Sequence, residues 1–145
     1  MSRILVVDDS RDVGQVMAMG LRVNNHEVAL AHNGAKALAL LQENLPDLIL
    51  LDLMMPDMTG HEVAGAISEM PSAAHIPIIF VSARDEPEER AASLALPGVV
   101  DYICKPFVFE ELLIRVTNAL RCHAPDSDAK QDIHELPSAA PTSAL

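Results

Sequence analysis

Five side chains able to hold a cation or handle a transferred group stand directly after short apolar runs in this sequence. Asp8 and Asp9 follow Ile4-Leu5-Val6-Val7, and Asp52 follows Leu48-Ile49-Leu50-Leu51. Ser82 follows Ile78-Ile79-Phe80-Val81, and Lys105 follows Tyr102-Ile103-Cys104. If the runs are strands ending at one edge, three carboxylates converge there and repel one another unless a cation sits among them. A hard divalent ion with oxygen ligands meets that need, and Mg²⁺ suits a site with one or two direct carboxylates and several waters. A carboxylate can also act as nucleophile toward phosphorus and form an acyl phosphate. Phosphoryl transfer asks mainly for alignment and charge neutralisation; Lys105 would bring a point charge and Ser82 a hydroxyl donor. Taken singly, Asp8-Asp9 reads as a helix N-cap pair, Ser82 as a cap for the next helix and Lys105 as a surface lysine. Their joint arrival at four strand ends makes the signal.

The elements that must position them are legible in the hydropathy. The runs named above, with Val28-Ala29-Leu30 and a weaker Val99-Val100, are continuous rather than alternating, as expected of strands buried on both faces of a parallel sheet. Between them lie segments with helical spacing. Val13, Val16, Met17, Gly20 and Leu21 mark the first, with Ser10 or Asp12 as its cap. Ala35, Leu38, Ala39 and Leu41 mark the second, after an Asn33-Gly34 turn, and Val63, Ala64 and Ile67 the third. Ala91, Ala92, Leu94 and Ala95 mark a fourth that Pro97-Gly98 ends, and Phe109, Leu112, Leu113, Val116 and Leu120 a fifth. Five strand–helix units with right-handed crossovers give an α/β fold, a doubly wound five-stranded parallel sheet. In doubly wound sheets the working site lies beyond the carboxyl ends of the strands, and where such a sheet is of the flavodoxin-like type its strand order is 2-1-3-4-5.

Composition narrows the function. The 145 residues suit one domain plus a tail, half are apolar, Trp is absent, and the formal net charge is −11. Such an acidic chain argues against direct nucleic-acid binding and against a peripheral membrane role. Met1-Ser2-Arg3 leads straight into the first strand, no apolar run is long enough to span a bilayer, and a cytoplasmic location is expected. Cys104 and Cys122 have no metal-like spacing and read as reduced thiols. Residues 1–121 form the expected domain. Residues 122–145, with three prolines and little apolar content, read as a flexible acidic, Pro-Ala-Ser tail or linker in which Asp132-Ile133-His134-Glu135-Leu136 is a candidate docking peptide. Asp85-Glu86-Pro87-Glu88-Glu89 reads as a solvated helix start. The six histidines lack ligand spacing, and His61 is expected simply to follow the Gly60 turn.

Asp8-Asp9, the stretch Asp52-Leu53-Met54-Met55-Pro56-Asp57-Met58-Thr59-Gly60, Ser82-Ala83 and Tyr102-Ile103-Cys104-Lys105-Pro106-Phe107 resemble, in order and spacing, the receiver domains of two-component response regulators. The resemblance covers Arg3 to Arg121. It implies that Asp52 is the phosphoacceptor and Asp9 a direct Mg²⁺ ligand, with Asp8 acting through water and Met54 through its backbone carbonyl; Mn²⁺ is the alternative ion. It implies that Ser82 is the switch hydroxyl, Tyr102 the aromatic that follows it inward, and Lys105 the phosphate partner, preceding a cis bond to Pro106. The implied donor is a sensor histidine kinase or histidine phosphotransfer protein, commonly docked on the first helix. The implied readout is the face of the fourth helix, fifth strand and fifth helix, toward a protein target or a phosphorylation-dependent dimer. Such a chain is a signalling domain rather than an enzyme, beyond its own phosphotransfer and dephosphorylation.

One departure stands out: between Ser82 and Lys105 the chain is one residue longer than is usual, at Leu96-Pro97-Gly98-Val99-Val100, which bears on the shape of the output face. Met54 and Arg84 occupy positions that modulate dephosphorylation in the family. Three other classes fit less well. An aspartate-nucleophile phosphatase of the haloacid-dehalogenase type needs an acid two residues beyond the nucleophile, where Met54 stands. A nucleotide-binding fold needs a Gly-rich loop after the first strand, where Asp8-Asp9 would repel phosphate. A pure interaction module would not need the full acidic set. The chain reads either as a stand-alone receiver or as the receiver of a regulator whose output domain follows the linker.

Overall fold

The computed structural model describes residues 2–122, and the tail expected beyond them, with its docking peptide, lies outside the described residues. Five strands, β1 (Arg3–Val7), β2 (Glu27–Ala31), β3 (Leu48–Leu51), β4 (Ile78–Ser82) and β5 (Val99–Cys104), alternate with five helices. The helices are α1 (Arg11–Val23), α2 (Gly34–Glu43), α3 (Gly60–Ser68), α4 (Pro87–Leu94) and α5 (Phe109–Cys122). All pairings are parallel, in the order β2-β1-β3-β4-β5.

The apolar runs behave as expected of double-sided burial. Leu5, Val7, Ile49, Leu51, Ile78 and Phe80 pack with Val63, Ala64 and Ile67 of α3 and Leu41 of α2 on one face. Ile4, Val6, Leu48, Leu50, Ile79 and Val81 pack with Met17 and Leu21 of α1 and Leu112 and Val116 of α5 on the other. Alternate residues of one strand thus feed two cores, which is why no polar residue interrupts β3 or the buried positions of β1, and why the one polar residue of β4, Ser82, stands at its carboxyl end. At the β2 edge the run is only half buried.

Local signals fix the helix starts. Ser10, not Asp12, caps α1 by accepting from the Val13 amide at 3.3 Å. Asn33 caps α2 through the Lys36 amide at 2.7 Å, so Asn33-Gly34 is a helix start rather than a free turn. Thr59 and Glu62 form a reciprocal capping box on α3.

Three helix faces differ from the sequence reading. Val16 lies 61% exposed on α1, where Gly14 and Ala18 are buried instead. On α2, Ala35 and Ala39 face solvent and Ala37 is buried. On α4, Ala91, Ala92, Leu94 and Ala95 are all exposed, and the buried residue is Ser93. Alanine contributes little burial free energy, so runs of it set a helix's phase poorly. The additional residue before Lys105 is taken up inside the sheet. Ile78 pairs with Val99 but Ile79 pairs with Asp101, which leaves Val100 as a bulge in β5. Gly98, at φ +83°, makes the turn into that strand.

Candidate functional site

Continuation of the strand ladder beyond the apolar runs builds the site. The Asp8 amide donates to the Ala31 carbonyl at 3.0 Å, the Asp52 amide to Val7 at 2.9 Å, and the Lys105 amide to Ser82 at 2.8 Å. These bonds tie the end of β1 to β2, β3 to β1 and β5 to β4, and the parallel pairing of β3 with β4 joins them into one edge. Asp8, Asp9 and Asp52 then each bring a carboxylate oxygen within 4.8 Å of the others. Lys105 crosses the same edge. Its Nζ lies 2.8 Å from Asp8 Oδ2 and 3.6 Å from Asp52 Oδ2.

The carboxylates are not equivalent. Asp8 is 1% exposed and well satisfied, since Oδ1 accepts from the Ser10 amide at 2.9 Å and Oδ2 from Lys105. Asp9 is exposed at the rim. Asp52 is 6% exposed and receives only a long bond, 3.4 Å, from the Met54 amide to Oδ1. Burial pushes its carboxyl up to about 6; Lys105 opposes the rise, Asp8 and Asp9 add to it, and the Met54 amide offsets a little. Of the two buried acids Asp52 is thus the less settled by protein groups, and a cation among these oxygens would relieve both its desolvation and the mutual repulsion. The donor set, all oxygen and all carboxylate, fits a hard divalent ion.

Ser82 and Tyr102 sit beside this edge. Ser82 is fully buried, and its hydroxyl accepts from the Arg84 amide at 3.2 Å. Tyr102 is turned inward and buried, its hydroxyl donating to the Arg84 carbonyl at 2.7 Å, while the Arg90 guanidinium lies 5.1 Å from its ring centre. Burial raises the Tyr102 hydroxyl above the ordinary phenol range. Both residues therefore meet at one point, the Arg84 backbone. The Lys105–Pro106 peptide is cis.

Two residues that the strand-end pattern passes over hold the 52–60 loop. Asp57 accepts from the Gly34 and Ala35 amides at 3.0 Å each, capping α2 from a distance and holding its own carboxyl below the usual range. Gly60 donates to the Leu53 carbonyl at 2.7 Å, and a Cβ there would collide with the Asp52 carbonyl and the Phe80 ring. Spacing gives no signal for Asp57, whose partners lie in a different helix. His61 does more than follow the turn: its Nε2 lies 2.8 Å from Ser93 Oγ and 3.0 Å from Glu89 Oε2.

A doubly wound parallel sheet with an acidic cluster and a lysine at its carboxyl edge defines a class: flavodoxin-like domains with a site suited to a divalent cation at the strand ends. Comparison with known proteins narrows it. The sequence pattern of the response regulator receiver domain matches residues 4–117, so the chain belongs to the receiver-domain family of two-component response regulators. It is 41% identical over 128 residues to the response regulator MprA of Mycobacterium avium (strain 104), covering 88% of this chain and 55% of that protein. The response regulator MprA of Mycobacterium sp. (strain KMS) is 43% identical over 124 residues, 86% of this chain and 53% of that one. The chain therefore spans about half the length of the curated relatives it matches. Among solved structures it resembles the chemotaxis protein CheY4 of Vibrio cholerae (TM-score 0.78, 32% identity, 83% of this chain and 99% of that one). It also resembles the response regulator TrrA of Thermotoga maritima in complex with Mg²⁺-BeF (TM-score 0.73, 32% identity, 83% and 100%). Among the described residues, no helix is long and apolar enough to cross a membrane.

Proposed function

We propose that Asp52 accepts a phosphoryl group from the phosphohistidine of a sensor histidine kinase or histidine phosphotransfer protein, and that the resulting charge resets the surface of the domain. The supporting observation is the gathering of three carboxylates within 4.8 Å of one another, two of them buried, with a single lysine reaching both buried ones.

In this reading an ionised Asp52 oxygen attacks phosphorus, the P–N bond of the donor breaks, and the departing imidazole takes up a proton. Asp8, Asp9, Asp52 and the Met54 backbone carbonyl would hold Mg²⁺, with Mn²⁺ able to replace it. A bound divalent ion supplies positive charge to the phosphoryl oxygens and to the acids around them. Lys105, already shared between Asp8 and Asp52, neutralises further charge. Ser82 exchanges the Arg84 amide for a phosphoryl oxygen, and Tyr102, hydrogen-bonded to the same residue, follows it. The signal leaves through α4, β5 and α5 to a protein target, a dimer partner or an output domain. The donor docks on α1, whose Val16, Met19 and Val23 leave an apolar stripe exposed.

The test is labelling. Incubated with acetyl phosphate or a phosphorylated kinase and Mg²⁺, the wild-type chain gains one alkali- and hydroxylamine-labile phosphoryl group by intact mass, and Asp52→Asn gains none. Labelling that persists in Asp52→Asn overturns the assignment.

A further inference from the structure

Helix α4 is seated on the domain by polar contacts rather than by a core. α3 buries Gly60, Val63, Ala64 and Ile67, whereas α4 buries Ser93 alone, and its alanines and Leu94 face outward. Its inward stripe is Glu89, Arg90 and Ser93. Ser93 and Glu89 both meet His61 of α3, while Arg90 lies over the Tyr102 ring and donates to Cys104 Sγ at 3.0 Å. Glu89 is also approached by the Arg84 guanidinium at 3.9 Å.

His61 is well placed to transmit a change. It directly follows Gly60, whose amide is bonded to Leu53, the residue after Asp52. Its ring meets the edge of Phe80 at 5.6 Å between centroids, and Phe80 in turn packs 6.3 Å from Tyr102. One imidazole, carried on the helix that starts at the acceptor loop, thus touches Phe80 of β4 and two residues of α4.

We propose that His61 is a positioning residue that clasps α4 to α3 through Glu89 and Ser93, so that the acceptor loop, α4 and the inward Tyr102 move as one body. The coupling half of this inference rests on the reading of Asp52 as phosphoacceptor; the clasp itself does not. Without the clasp, α4 is left with Arg90 as its main polar tie to the sheet, and the cover over Tyr102 loosens.

The sequence provides the probe, because Tyr102 is the only tyrosine and there is no tryptophan. Intrinsic emission and its quenching by acrylamide therefore report this side chain alone. In the metal-free 145-residue chain, His61→Leu raises the acrylamide quenching constant of Tyr102 by about threefold, as expected when the contacts of His61 Nε2 with Ser93 and Glu89, which hold one conformation, are removed. His61→Gln, which keeps a side-chain N–H, recovers at least half of the wild-type protection, and Ser93→Ala with Glu89→Gln reproduces the loss. With Mg²⁺ and beryllofluoride, whose binding is followed separately by ¹⁹F NMR, wild-type emission responds to binding; His61→Leu still binds but its emission response falls to about a third or less. Unchanged quenching in metal-free His61→Leu overturns the clasp, and a full emission response in the same variant overturns the coupling. A wild-type chain that fails to bind beryllofluoride refutes the Asp52 reading and with it the coupling, while the clasp is still decided by the metal-free measurement.

Discussion

Replacing Asp52 by Asn should stabilise the metal-free protein, although it removes a charged residue beside a lysine. In the folded chain the Asp52 carboxyl is pushed from 3.8 to about 6, because burial and the neighbouring Asp8 outweigh Lys105 at 3.6 Å. A raised carboxyl holds its proton more tightly when folded than when unfolded. Its contribution to stability is therefore full below pH 3.8 and is lost as the pH rises through about 6. At roughly 1.4 kcal/mol per pH unit, the ionised carboxylate costs the fold up to ~3 kcal/mol at neutral pH. Water at the mouth of the site screens part of this, so about 1–3 kcal/mol is the order to expect. The asparagine amide carries no charge and so avoids that cost. In urea melts at pH 7.5 with EDTA, the variant should show a higher midpoint at unchanged slope, by roughly 0.5–1.5 M for a slope of about 2 kcal/mol per molar urea. At pH 4 the two proteins should nearly coincide. Adding Mg²⁺ should close the gap at pH 7.5, since an ion at 100 times its Kd contributes about 2.7 kcal/mol to the form that binds it. A metal-free variant no more stable than wild type at pH 7.5 would show that Asp52 is not electrostatically strained, and the case for a cation in its midst would lose its physical basis.

Other substitutions probe the same balance. Lys105→Met leaves Asp8 and Asp52 facing each other uncompensated, and should lower metal-free stability by about 3 kcal/mol, with a larger recovery on Mg²⁺ addition than wild type shows in the same urea melts. Tyr102→Phe removes the donor to the Arg84 carbonyl and should cost about 1 kcal/mol by thermal or urea unfolding, without altering phosphoryl uptake by mass. Asp57→Ala removes the two-amide cap on α2 and should speed amide exchange at Gly34 and Ala35. Because the folded Asp57 carboxyl lies below its ordinary value, wild type keeps this tie above pH 3.8 and loses it on further acidification; exchange in the variant should lack that dependence.

Much of this molecule can be read from its residues, for identifiable reasons. Uninterrupted Ile-Leu-Val runs have few destinations other than the middle of a parallel sheet, so β1, β3 and β4 and the residues at their ends follow from hydropathy. α3 and α5 follow too, since Val63, Ile67, Leu112 and Val116 are large enough for burial to set the phase. α2 and α4 are less legible. Ala35, Ala39, Ala91 and Ala92 suggest buried faces, yet a methyl group gains too little from burial to orient a helix, and Ala37 in one case and Ser93 in the other are buried instead. The extra residue near Val100 is visible as a length difference, but its accommodation as a bulge depends on the pairing of β5 with β4. The roles of Asp57 and His61 are hidden because their partners are tertiary: backbone amides of α2 for one, and a serine and a glutamate of α4 for the other. No local spacing encodes such contacts.

The uneven seating of the helices bears directly on what a charge at Asp52 could move. Displacing α3 would uncover Val63 and Ile67, each worth about 1.5–3 kcal/mol of burial, and would drag Gly60 from its close fit against the Asp52 carbonyl. Displacing α4 would break a few polar contacts, each worth about 0.5–1.5 kcal/mol and each replaceable by water. A full reversal of a two-state equilibrium from 1:99 to 99:1 takes about 5.5 kcal/mol of differential stabilisation. Two or three charge-assisted contacts from Ser82 and Lys105 to a phosphoryl group are of that order. That sum readily covers the few polar contacts of α4 above Tyr102, whereas uncovering Val63 and Ile67 of α3 would consume most or all of it. The direction of the response would then be set by where the fold is held with polar groups instead of methyls.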